Sequence, residues 1–307
     1  MSENKIEQTA MSVYLSKEST KGYLQSILGA RTGQFITSLT SLAGSTKTMQ
    51  SCDRNSLLAC ALKATSLGLP FDQNLGFAWT VPYKNSKTKA VTATFQIGAK
   101  GYIQLALRTG QYKYIGAKEV KEGEFLGRNF VGDPEIKWLP DEERLEKETI
   151  GYMAGLELLN GFKKAIYWTK REVENHATKY SQSYRKYKRT KNIEDAIWAS
   201  QFDKMAEKTV LKALISKYGI MSTEIQSAIQ SDHSAMKIDV DTGEETLEYI
   251  DNSNEKEEKL TTEEQKELIE KYGIEKINKG LENWNIQTLN EIPKENIKEF
   301  RHELESL

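Results

Sequence analysis

Residues 91–97 alternate strictly. Val91, Ala93, Phe95 and Ile97 fall on one side, Thr92, Thr94 and Gln96 on the other. That is the period of a half-buried strand. Phe77, Trp79, Val81 and Tyr83 alternate in the same way upstream, and a basic polar stretch at 84–89 joins the two runs. The pair predicts a hairpin. Before it, from about Thr20 to Leu69, apolar residues recur at helical spacing: around Tyr23, Ile27 and Leu28, then Phe35, Leu39 and Leu42, then 55–67. In the last of these, Leu57, Leu58, Ala61, Leu62 and Ala64 make a broad apolar stripe, with Ser51 or Asp53 placed to cap its start.

After Ile97 the period changes. Gly98 and Gly101 permit a sharp turn and a close backbone approach, and Lys100 stands between them. From Tyr102 the spacing is helical, with Ile103, Ala106 and Leu107 on one face and Gln104 and Arg108 near the other. Gly110 suits a left-handed C-terminal residue. A strand that feeds a glycine turn and a short helix offers backbone amides and one lysine to a phosphate; a purely structural turn has the same pattern.

Further strands are predicted at 112–120, 124–131 and 135–139, with an acidic loop at 141–148. Ile150, Tyr152, Ala154, Leu156 and Leu158 alternate, Asn160-Gly161 signals a two-residue hairpin, and Lys164, Ile166 and Trp168 return. Thr169 with Glu172 forms a capping box that opens a helix to about Tyr180. A longer helix is predicted over 193–218. The fold class is therefore α+β, a mainly antiparallel sheet with packed helices. Residues 1–230 make a core, 231–260 read as an acidic linker, and 261–307 as a small helical bundle carrying Leu268, Ile277, Leu281, Phe300 and Leu304.

Charge sharpens this division. The 307 residues carry a net charge of −1, yet residues 1–230 hold 33 Lys and Arg against 23 Asp and Glu, whereas 231–307 hold 10 against 21. A basic body with an acidic tail suits a protein that meets a polyanion. The basic residues also cluster. Residues 179–191 contain Lys179, Arg185, Lys186, Lys188, Arg189 and Lys191, with Tyr180, Tyr184 and Tyr187 between them and no acid. Cations for phosphates and rings for bases are what a single strand requires. On the following helix Lys204, Lys208 and Lys212 recur every four residues, so the row repels itself unless an anion lies along it. An ordinary solvated loop and helix remain the alternative for both.

Other chemistry has less support. Cys52 and Cys60 form no C-x-x-C, and three scattered histidines write no zinc site. Gly44-Ser45-Thr46-Lys47-Thr48 lacks the glycines of a P-loop, so ATP use is not expected. Asp239 to Gly243 lacks the third acidic position of a calcium loop. Asp133, Glu135 and Lys137 allow a metal-dependent nuclease as a rival, and a static RNA- or duplex-binding protein is a second. Reduced thiols and the lack of an apolar run of membrane length place the chain in the cytoplasm, with no membrane partner.

Residues 96–110, QIGAKGYIQLALRTG, resemble the signature of the RecT family of phage single-strand annealing proteins. Ser56-Leu57-Leu58 with Leu67-Gly68-Leu69-Pro70, and Trp198, Phe202, Met205 with Lys208 to Lys212, resemble two further family segments, in order. The resemblance implies a superfamily fold in which a DNA groove lies between an antiparallel sheet and a long helix. It implies single-stranded DNA and a duplex annealing intermediate as ligands, and self-assembly into rings or helical filaments in a bacterial host. It implies no nucleotide cofactor, with magnesium at most modulating DNA binding. A 5′-to-3′ exonuclease and the host single-stranded-DNA-binding protein are the implied partners, the latter or the former recruited by 261–307. On this reading Lys100, Arg108, Lys204, Lys208 and Lys212 hold the DNA backbone, and Tyr102 and Tyr112 support bases. Arg185, Lys186, Lys188 and Arg189 fall where the family has a basic, variable loop. Ala99 stands where the family often has an aromatic, which excludes stacking from that position.

Overall fold

The computed structural model describes residues 10–84, 90–193, 196–249, 260–284, 286, 288, 289, 292 and 297–306. The tip of the expected basic loop, 85–89, lies outside them, as does 250–259. The chain divides into two units, Met1–Tyr187 with Asn192–Asp251, and Lys188–Lys191 with Asn252–Leu307.

The larger unit opens with α1 (Ala10–Leu15), α2 (Glu18–Leu28), α3 (Thr32–Gly44), α4 (Lys47–Gln50) and α5 (Arg54–Ser66). Asp53 caps α5 by accepting the Ser56 N–H at 2.8 Å, and Leu57, Leu58, Ala61 and Leu62 are buried along it. The predicted hairpin is β1 (Ala78–Lys84) and β2 (Val91–Ile97), paired antiparallel with Thr80 opposite Phe95. Helix α6 (Ala99–Arg108) follows, then β3 (Tyr112–Lys121), β4 (Phe125–Arg128) and β5 (Pro134–Ile136). The acidic run is not a loop: α7 (Asp141–Leu145) begins there, because three acids in a first turn complement the positive end of a helix. Its Arg144 is buried and ion-paired with the buried Glu124.

Strands β6 (Thr149–Leu158) and β7 (Lys163–Thr169) form the second predicted hairpin, and Thr169 with Glu172 makes the capping box of α8 (Lys170–Tyr180). Then come α9 (Gln182–Thr190), α10 (Ile197–Ser200) and α11 (Phe202–Tyr218). The helix expected over 193–218 is thus interrupted at Gln201, whose ψ of 48° departs from helical geometry. Finally α12 (Thr223–Ser231) leads to β8 (Ser234–Ile238) and β9 (Glu245–Tyr249).

This last pair corrects the expected domain boundary. Residues 231–249 are not linker: β8 pairs with β2, and the sheet order is β1-β2-β8-β9. Ala235, Met236 and Ile238 are buried, and Asn55 clamps Ile238 by accepting its N–H and donating to its carbonyl. The second sheet has the order β3-β6-β7. Helix α5 packs on β2 and β8, α11 packs on β6, β3 and β7, and α6, which follows β2 of the first sheet directly, packs on α11 and on β3 of the second. Cys52 and Cys60 are buried and unbridged.

The smaller unit contains α13 (Thr262–Tyr272), α14 (Ile274–Asn283) and α15 (Ile297–Ser306). It has its own apolar cluster, in which Leu268, Ile277, Leu281, Phe300 and Leu304 meet as their helical spacing predicts.

Candidate nucleic-acid interface

Two glycines set the start of α6. A Cβ on Gly98 would lie 2.1 Å from the Gly76 carbonyl oxygen, and one on Gly101 would lie 2.2 Å from that of Phe77. The partner in the close approach is therefore the protein's own chain, the backbone of Gly76 and Phe77. Lys100 points outward between them, with Nζ 3.5 Å from the Leu75 carbonyl.

The chain then converges on one carboxylate. Asp232 stands just past α12, and His233 takes a left-handed φ of 67° and donates its N–H to Phe95. This turn drives the Asp232 side chain inward, where it is fully buried. Oδ1 accepts the Ile97 N–H at 3.0 Å and lies 3.4 Å from Lys208 Nζ. Oδ2 accepts the Tyr102 hydroxyl at 3.0 Å and Lys212 Nζ at 2.7 Å. The strand end, the glycine-turn helix and the lysine row all meet at this residue. Burial opposes its charge, but His233, Lys208 and Lys212 outweigh burial and hold the carboxyl far below the ordinary aspartate range. His233 is pushed down to about 4, by burial first and by Lys208 and Lys212 next, against the pull of Asp232.

The lysine row is thus relieved by an anion, and the anion is internal. Lys208 is buried with its side chain only 9% exposed, while Lys212 keeps 30%. Lys204, nearer the start of α11, is exposed.

The tyrosines differ from expectation. Tyr102 is fully buried with its hydroxyl committed to Asp232. Tyr112 is buried at the start of β3, where its hydroxyl accepts the Ile220 N–H at 2.6 Å. Neither ring is placed to support a base, because an apolar ring with one satisfied hydroxyl is a better core residue than surface residue. Tyr184 is likewise buried, against Tyr187, Trp198 and Phe202.

Two arginines are turned to their own backbone. Arg108 is exposed, yet its guanidinium donates to the Leu67 and Gly68 carbonyls at 2.8 and 2.7 Å, closing the C-terminal end of α5. Arg185 donates to the Thr178 and Lys179 carbonyls at the end of α8. Lys186, Lys188 and Arg189 are exposed along α9, which is a helix where a basic loop was expected. Lys188 and Arg189, although they continue α9, group with the smaller unit.

Sequence reasoning missed Asp232 because an acid after an amphipathic helix has no local signature. It also missed a row of rings on the larger unit: Trp168 on β7, then His176 and Tyr180 one turn apart on α8. Burial, then Lys212 and Lys179, lower the His176 titration below its ordinary value. Of this row only Tyr180 is singled out in the sequence, as one of the rings of the basic run, and the i, i+4 spacing of His176 and Tyr180 was the further clue.

Comparison with known proteins agrees with the sequence motifs. The model of the RecT family matches residues 33–258. The uncharacterized protein YqaK of Bacillus subtilis (strain 168) is 43% identical over 238 residues, 77% of this chain and 77% of that protein. Protein RecT of Escherichia coli (strain K12) is 30% identical over 210 residues, 66% of this chain and 74% of that protein. The match spans both sheets and the Asp232 hub, and it extends through β9 into the segment whose composition resembled a linker. This chain belongs to the RecT family, whose members take part in recombination through single-strand annealing.

Proposed function

We propose that the chain binds single-stranded DNA and pairs it with a complementary strand, as a homo-oligomer and without nucleotide hydrolysis. The family match over residues 33–258 carries this reading. The surface supports it: Lys100 and Lys204 are exposed, Lys212 is partly exposed, and α9 presents Lys186. Such cations grip phosphates without a base code, which suits a protein that must accept any sequence. Magnesium at most modulates DNA binding. The bundle at 261–307 recruits a 5′-to-3′ exonuclease or the host's single-stranded-DNA-binding protein.

The test uses two complementary labelled oligonucleotides added in turn, with magnesium and no ATP. Faster pairing than in the protein-free mixture, with both strands at full length, is the expected result. Shortened strands favour the nuclease built on Asp133 and Glu135 instead, although Asp133 is ion-paired with Lys164. Equal affinity for preformed duplex, with no gain in pairing rate, favours a static binder.

A further inference from the structure

We propose that Trp168, His176 and Tyr180 form a stacking platform for the bases of a single strand whose phosphates are held by Lys179 and Lys212; this rests on the single-strand-binding function proposed above. The rings make one row. Trp168 and His176 have centroids 5.6 Å apart at 50°, and His176 and Tyr180 4.6 Å apart at 45°. Trp168 and His176 are half-buried and Tyr180 is 42% exposed, so the row is anchored at one end and open at the other. The capping box at Thr169 fixes α8 directly after β7, which places all three on adjoining elements.

Cations flank the row. Lys179 Nζ lies over the Tyr180 ring, 5.1 Å from its centroid. Lys212 on α11 is near enough to His176 to disfavour its protonation. A base stacked on a ring is held more strongly than an ammonium over an exposed one. A base therefore displaces the Lys179 ammonium from the ring, and the freed ammonium, on a flexible stem, turns to the adjoining phosphate. The His176 Nδ1 is shielded from solvent and has no hydrogen-bond partner among the described residues, so packing between Trp168 and Tyr180 sets the plane of the ring.

The chemistry suits annealing. A base held by its face keeps its pairing edge free, whereas a base held by hydrogen bonds to that edge does not. With Tyr102 and Tyr112 buried, this row takes over the base-supporting role expected of them.

The experiment compares binding of full-length protein to oligo-dT and to an abasic strand of equal length, which keeps the phosphates and lacks the bases. Wild type is expected to prefer oligo-dT. Tyr180→Ala is expected to weaken oligo-dT binding roughly tenfold and leave abasic binding unchanged, while Tyr180→Phe restores the preference. His176→Ala is expected to act in the same direction. Equal loss on both strands, or no loss on either, overturns the platform while leaving the single-strand-binding function in place. Failure of wild type to bind either strand instead overturns that function.

Discussion

Helices α9 and α11 are both rich in lysine, and their sequences suggested the same role. In the structure they differ. Helix α11 turns Lys208 and Lys212 toward the buried Asp232, whereas α9 leaves Lys186, Lys188 and Arg189 exposed. One set of charges holds the fold together and the other faces solvent. How far a cation counted in a sequence is offered to DNA depends on its burial: Lys208 is enclosed at 9% exposure, Lys212 pairs with the same anion but keeps 30% of its side chain exposed, and the α9 cations lie at the surface.

The largest effect should come from the hub. Asp232→Ala leaves Lys208 buried without its carboxylate, and removing one member of a buried pair costs roughly 3–5 kcal/mol. The urea midpoint should fall accordingly, while a change below about 1 kcal/mol would show that the lysines relax to solvent. Lys208→Ala should also act mainly on stability, less strongly, because Lys212 still reaches Asp232 at 2.7 Å.

Next is pH. His233 titrates at about 4 in the folded protein, below its unfolded value near 6.5. The unfolded chain therefore binds more protons between these values, so the His233 contribution is complete above about pH 6.5 and lost as pH falls toward 4. The loss is roughly 2 kcal/mol, discounted for partial exposure of the ring. His176, also lowered, acts in the same direction. His233→Asn, which tolerates the left-handed backbone, should flatten a plot of midpoint against pH; an unaltered slope would assign the dependence elsewhere. Asp232, held far below its ordinary value, adds a further loss only below about pH 4.

Smaller in stability, and opposite in kind, is α9. Lys186→Ala with Lys188→Ala should change stability by less than about 0.5 kcal/mol. The logarithmic salt slope of DNA binding should become shallower by about 0.7 for each phosphate that is no longer neutralised. Lys204→Ala on α11 should behave like α9, since Lys204 is exposed. If instead it destabilises like Lys208→Ala, the contrast between the helices fails.

Both hairpins and the capping box were legible because their signals are local: period-two alternation, Asn160-Gly161, and Thr169 with Glu172 three residues on. Strand β8 was not legible. Its residues Ser234–Ile238 lie in an acidic stretch and become a strand by pairing with Phe95 and Thr94, more than a hundred residues earlier. The glycines at 98 and 101 were correctly read as a close approach, but only the fold shows that the neighbour is the backbone of 76 and 77. For the site, the motif located α6 and α11, while the burial of Tyr102 and Tyr112 was hidden, since a tyrosine's identity does not say which way its ring faces.

By itself the sequence determined many of the helices, both hairpins, the small C-terminal core, the contrast between basic body and acidic tail, and the family. Each of these depends on neighbours along the chain or on summed composition. Only the tertiary structure decided which lysines are committed, which rings are buried, and that one aspartate beyond residue 230 organises the strand end, α6 and α11. The physical reason is that burial changes the worth of a charge. Whether a lysine is offered to solvent or neutralised within depends on groups that only the fold brings within about 4 Å.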